Sequence, residues 1–133
     1  MGLVSLVLVS HSRALAEGAR DLAGQMTQGN VKIAIAAGTA DGRLGTDATA
    51  IGEAISAVRG PAGVLVLVDL GSAVLSAQMA IEMLPPDDGR VLLSNAPFVE
   101  GAVIAAVEAS IDSDLDRVAE AAAGAKEMEK VRS

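Results

Sequence analysis

The stretch LVSLVLVSHS, residues 3–12, decides the fold. Six of its first seven residues are apolar, and the run then breaks into Ser10–His11–Ser12. A short run that is apolar on both faces is the pattern of a strand buried in a parallel sheet and covered by helices. No basic segment precedes it, so Leu3–Val9 reads as a strand and not as a signal peptide. The run Val64–Asp69 repeats the pattern and ends in a carboxylate.

Outward from these two runs, strand-like and helix-like segments alternate, which predicts right-handed βαβ units. A first helix places Leu15, Ala19, Leu22 and Met26 at helical spacing and stops at Gly29–Asn30. A second strand covers Val31–Ala37, and a Gly/Thr/Asp-rich loop runs from Gly38 to Thr46. A second helix carries Ala48, Ile51, Ile55 and Val58 on one face, capped by Thr46 or Asp47, and ends at Gly60–Pro61. After the third strand, Gly71–Ser72 opens a third helix to about Leu84, with Met79 and Met83 expected in the core, before Pro85–Pro86 breaks it. A short fourth strand covers Arg90–Ser94. A fourth helix follows Pro97, with Val99, Val103, Val107 and Ile111 at i, i+4 spacing, and Asp112–Ser113 caps a last helix over Asp114–Lys130. The expected architecture is α/β: a four-stranded, mainly parallel sheet of order 2-1-3-4 with helices on both faces, in one domain over residues 1–133.

Composition narrows the function. Half the chain is hydrophobic (51%), yet Phe98 is the only aromatic residue, so the core must be built from aliphatic side chains. Cysteine is absent and histidine occurs once, which removes disulfides, thiolate chemistry and ordinary zinc sites. The net charge of −7 and the scattered basic residues argue against nucleic acid as a partner. No apolar run reaches the roughly 18–20 residues needed to cross a bilayer, so a cytoplasmic protein is expected. There is no P-loop, no dinucleotide-binding glycine pattern and no hydrolase nucleophile elbow.

In open parallel sheets, ligands bind beyond the carboxyl ends of the strands where the strand order reverses. In order 2-1-3-4 that point lies between strands 1 and 3. It brings together Ser10–His11–Ser12 and Asp69–Leu70–Gly71–Ser72, with Gly38–Thr39 at the border. A neutral imidazole is a nucleophile toward phosphorus. A helix N-terminus next to it holds an anionic phosphoryl group. A carboxylate can fix the imidazole tautomer. His11 and Asp69 are therefore the candidate catalytic residues, and Ser12, Gly38, Thr39, Gly71 and Ser72 the candidate phosphoryl-binding ones, with no metal or cofactor expected. Each also has a structural reading: His11 as a core residue, Asp69 as the cap of helix 3, the glycines as turn formers, and Arg13 as a solvated residue and not a phosphate contact.

The segment Val9–Ser10–His11–Ser12, with Leu15–Gly18, resembles the phosphorylation segment of the DhaM family, the phosphocarrier subunits of phosphotransferase-system-dependent dihydroxyacetone kinases. So do Ala36–Thr39, Gly45–Asp47, Val66–Ala73 and Ala96–Gly101, in the same order over nearly all of residues 3–111. The related mannose-type sugar IIA domains usually carry a Gly-Gly-rich segment after the third strand, where this chain has Asp69–Leu70–Gly71–Ser72–Ala73.

The resemblance implies a relay. Phosphorylated HPr donates to His11, and His11 passes the group to ADP held by a DhaL subunit, which with DhaK phosphorylates dihydroxyacetone. Metal and nucleotide would sit on DhaL. The resemblance also implies a homodimer, and a single-domain version or an excised domain of a family whose members can carry further phosphocarrier domains. The competing classes are a sugar-transport IIA component, which hands its phosphoryl group to a IIB partner, and a non-catalytic regulatory module in which His11 is structural.

Overall fold

The computed structural model describes residues 2–39, 41–86 and 89–131. Its sheet has four parallel strands, β1 (Ser5–Ser10), β2 (Ile33–Ala37), β3 (Val64–Val68) and β4 (Val91–Leu93), in the order β2-β1-β3-β4. The helices are α1 (Arg13–Met26), α2 (Ala48–Val58), α3 (Ala73–Glu82), α4 (Phe98–Ser110) and α5 (Leu115–Ala123). The expected strand order is the observed one.

Side chains alternate across a strand, and here the alternation sorts residues by size. Leu6 and Leu8 of β1 and Leu65 and Leu67 of β3 point into one core, against α1, α4 and α5. Val7, Val9, Val64 and Val66 point into the other, against α2 and α3. On the leucine side the helices present alanine: Ala19 and Ala23 of α1, and Ala102, Ala105, Ala106 and Ala109 of α4. On the valine side α2 presents Ile51 and Ile55. Large thus meets small where α1 and α4 cover the leucines and where α2 covers the valines, α3 adds Ala73, Ala77 and Ala80, and Phe98 is the one aromatic side chain in the packing. Close approach on the leucine side is strict at Gly101, where an added Cβ would stand 2.7 Å from Ala96 Cβ and 3.1 Å from Leu67 Cδ2.

That pairing corrects several sequence expectations. On α1 the buried face is Ala16, Ala19 and Ala23, whereas Leu15, Leu22 and Met26 are exposed. On α4, Val99, Val107 and Ile111 are exposed, and the alanines face the sheet. Met79 and Met83 on α3 are exposed, not core. On the leucine side the strand leucines already fill the space beneath α1 and α4, so a side chain the size of alanine fits there. The last helix is capped by Asp114, whose carboxylate accepts from the Arg117 N–H, in place of Asp112–Ser113. It ends as α-helix at Ala123 and tightens into a 3-10 turn over Gly124–Glu127, short of Lys130. Asp47 caps α2, accepting from the Thr49 N–H. Ala40, in the long loop, lies outside the described residues. Among the described residues no helix is long and apolar enough to cross a membrane.

Candidate phosphoryl-accepting site

The carboxyl end of β1 lies between two neighbours, and its last carbonyls are claimed by both. The Val9 C=O accepts from the Asp69 N–H (3.1 Å), and the Ser10 C=O accepts from the Gly38 N–H (3.2 Å). His11 leaves the strand at this point. Its own C=O accepts from the Gly45 N–H (3.1 Å), so the loop after β2 is fastened to the histidine backbone. Ser12 then caps α1, its hydroxyl accepting from the Leu15 N–H (3.3 Å).

The strand order thus brings His11 to Asp69. The Asp69 carboxylate takes four hydrogen bonds. Oδ1 accepts from the His11 ring at Nδ1 (3.0 Å) and from the Leu70 N–H (2.8 Å). Oδ2 accepts from the Ser10 hydroxyl (3.0 Å) and from the His11 N–H (3.0 Å). The aspartate side chain is 6% exposed and the histidine side chain 24%. Burial alone pushes the Asp69 carboxyl up. The bonds from the His11 N–H, the His11 ring and the Ser10 hydroxyl outweigh burial and hold it below the ordinary carboxylate value. An ionised carboxylate only accepts, so the assignment that satisfies the network puts the ring proton on Nδ1 and makes Nε2 an acceptor.

The Ser72 hydroxyl stands 3.0 Å from Nε2. Ser72 occupies the N-cap position of α3, but its backbone is helical (φ −66°, ψ −18°) and its side chain makes no cap bond. The hydroxyl is therefore turned to the ring instead of to its own helix. Of the other expected phosphoryl contacts, Ser12, Gly38 and Thr39 already have partners. Ser12 spends its hydroxyl on α1. The Gly38 N–H is held by Ser10, and at φ +72° with a would-be Cβ 3.1 Å from the Arg43 C=O the position needs glycine. The Thr39 N–H donates to the Arg43 C=O (3.0 Å), and its hydroxyl bonds to Asp41. Gly71 supplies the carbonyl that accepts from the Val74 N–H (3.0 Å) and starts α3. Arg13 donates to the Ala37 C=O (3.2 Å) at the rim. Asp69 does not cap α3.

Ser10, not among the residues expected in the site, is a fully buried hydroxyl bound to Asp69. The signal was there: a polar residue closing an apolar run next to the histidine. A cleft lined by Pro61, Arg90, Asp112 and Asp116 lies at the opposite end of the sheet and is no part of this site. Among the described residues, no group of His, Asp or Glu side chains is arranged to hold a metal ion.

The model of the family described as PTS system fructose IIA component matches residues 5–119. The phosphoryl donor subunit DhaM of the PEP-dependent dihydroxyacetone kinase of Escherichia coli (strain K12) is 48% identical over 120 residues, which is 87% of this chain and 25% of that protein. The chain thus spans about a quarter of that relative. A DhaM subunit of Listeria innocua, from its dihydroxyacetone kinase 2, is 36% identical over 117 residues and is covered over 94% of its length. Among solved structures, one described as the unknown function protein EF1359 superposes with a TM-score of 0.81 at 35% identity, covering 93% of this chain and 95% of the other. The dihydroxyacetone kinase of C. freundii shares the fold alone, with a TM-score of 0.59 at 20% identity over 90% of this chain and 24% of that one. With a family match over most of its length and a DhaM relative covered almost end to end, the chain belongs to the PTS fructose IIA family and, within it, to the DhaM family.

Proposed function

We propose that this chain is a histidine phosphocarrier in which His11 takes a phosphoryl group at Nε2 from phosphorylated HPr and passes it to ADP bound on a DhaL subunit. The observation that carries this reading is the division of labour between the ring nitrogens: Nδ1 is occupied by Asp69, while Nε2 is partly open beside the Ser72 hydroxyl. As the Nε2 lone pair bonds to phosphorus, the bond to the donor's nitrogen breaks and positive charge develops on the ring. Asp69 meets that charge through Nδ1–H, and the Ser72 hydroxyl turns from Nε2 to a phosphoryl oxygen. In the second step an oxygen of the ADP β-phosphate attacks phosphorus, the P–Nε2 bond breaks and the electron pair returns to the ring. Transfer of this kind depends on positioning and charge stabilisation more than on covalent chemistry by the protein.

The relatives named as phosphoryl donor subunits of dihydroxyacetone kinases support dihydroxyacetone as the final acceptor; we assign its phosphorylation to DhaK with DhaL, and metal and nucleotide to DhaL. We also read the chain as one phosphocarrier domain that works in the cytoplasm as a homodimer. The test combines the chain with enzyme I, HPr and labelled phosphoenolpyruvate, and then adds ADP-loaded DhaL or a sugar-system IIB domain. Label is expected on the wild type, absent from His11→Ala, and discharged by DhaL. Label that persists in His11→Ala removes His11 as the acceptor, and discharge to IIB alone makes the chain a sugar-transport component.

A further inference from the structure

We propose that Ser10 is a positioning residue for phosphoryl transfer: its buried hydroxyl holds the Asp69 carboxylate in the orientation that keeps the His11 proton on Nδ1. This rests on the reading of His11 as the phosphoryl acceptor. Ser10 is the last residue of β1 and is 0% exposed. Its Oγ has two partners, the Ser12 N–H and Asp69 Oδ2, each at 3.0 Å. An amide N–H can only donate, so the Ser10 oxygen accepts there and its single proton must go to Asp69. The hydroxyl therefore cannot rotate to any other use.

This one side chain joins three parts of the site. It fixes Oδ2, and because the carboxylate is rigid, fixing Oδ2 aims Oδ1 at Nδ1. It also holds the backbone of Ser12, the N-cap of α1, and so the turn that carries His11. No other side-chain hydroxyl bonds to Asp69 among the described residues. The remaining donors are the Leu70 N–H and the N–H and ring of His11. Without Ser10 the carboxylate keeps its bonds to the loop and the histidine but loses the anchor to β1. Its plane can then turn, and the neutral ring is released to exchange its proton between Nδ1 and Nε2. A ring protonated at Nε2 has no lone pair to offer the donor.

The experiment measures labelling of Ser10→Ala and Ser10→Thr by enzyme I, HPr and labelled phosphoenolpyruvate, and reads the His11 tautomer from its ring ¹⁵N shifts. Ser10→Ala is expected to take label roughly ten- to a hundredfold more slowly, the scale of losing one hydrogen bond to a charged group. Its ring should shift toward the Nε2–H form, and Ser10→Thr, which keeps the hydroxyl, should restore both rate and tautomer. If Ser10→Ala does not fold, Ser10→Cys fills the same space with a weak donor and carries the same two readouts. Wild-type labelling by the variant overturns the proposal. So does slow labelling with an unchanged tautomer that Ser10→Thr fails to restore. Absence of label from the wild type itself would instead bring down the acceptor role of His11.

Discussion

Two aspartates stand beside cationic or proton-bearing groups at opposite ends of the sheet, and only one of them has the makings of chemistry. At the amino end, Asp116 binds the Arg90 guanidinium through two bonds of 2.8 and 3.1 Å. At the carboxyl end, Asp69 meets the His11 ring at 3.0 Å. Judged by distance and bidentate geometry, the first pair is the better one. Its side chains are 60% and 70% exposed, however, and solvent screens such a pair until it contributes little. Asp69 is nearly buried and takes three donors besides the ring, so its direction is set before any phosphoryl group arrives. Surroundings, not ion-pair length, set how firmly a carboxylate is held.

Changes at the two ends should therefore separate chemistry from stability. The largest effect is expected for Asp69→Ala, which removes both the tautomer control and the counter-charge. Labelling through HPr should slow by roughly 10²–10⁴-fold, the scale seen when an orienting aspartate is lost, and the unpaired donors should cost about 1–3 kcal/mol in denaturant unfolding. Wild-type rates in that variant would erase the contrast between the ends. Next comes Gly63→Ala at the amino end. Gly63 sits at φ +99°, with a would-be Cβ 2.8 Å from Leu115 Cδ2 and 2.9 Å from the Arg90 C=O. It should lose about 1–3 kcal/mol through backbone strain and crowding, while the rate per folded molecule stays that of the wild type.

The smallest effects belong to acid and to the exposed pair. Asp69 has a lowered carboxyl in the folded chain, so its contribution is complete above the ordinary value of about 3.9 and disappears as the pH falls through its depressed one. Stability measured by urea unfolding should be level between neutral pH and about 5, and decline below about 4. Part of that decline should be missing in Asp69→Ala. The Arg90 hydrogen bonds, and then its charge, also lower the Asp116 carboxyl. Because the pair is largely exposed, Asp116→Asn should leave the melting curve and the labelling rate in place, and a clear loss in moderate salt would refute the assignment of little weight to that end.

The strands, their order and the meeting of His11 with Asp69 were legible in the sequence, because buried parallel strands leave unbroken apolar runs and the switch point follows from the order. The buried faces of the helices were not. Leu15, Leu22 and Met26 are more hydrophobic than Ala16, Ala19 and Ala23, but which set turns inward depends on the leucines of β1 and β3 beneath them, a tertiary fact. Met79 and Met83 are exposed on the other face of the sheet, where α3 sets Ala73, Ala77 and Ala80 against the valines of β1 and β3. Ser72 stands out in the sequence as a phosphoryl contact, but its bond to the ring does not: a serine at a helix start normally caps it, and only the helical backbone at that residue frees its hydroxyl for the ring.

Asp69 takes the Nδ1 corner of the imidazole, and under the phosphocarrier role proposed above that has a kinetic corollary. With a single nitrogen on offer, giver and taker cannot be served at once; they must use the same doorway in turn. A relay built this way passes through a discharged and a charged form with no ternary state between them. Double-reciprocal plots taken at several concentrations of one partner should accordingly run parallel instead of converging.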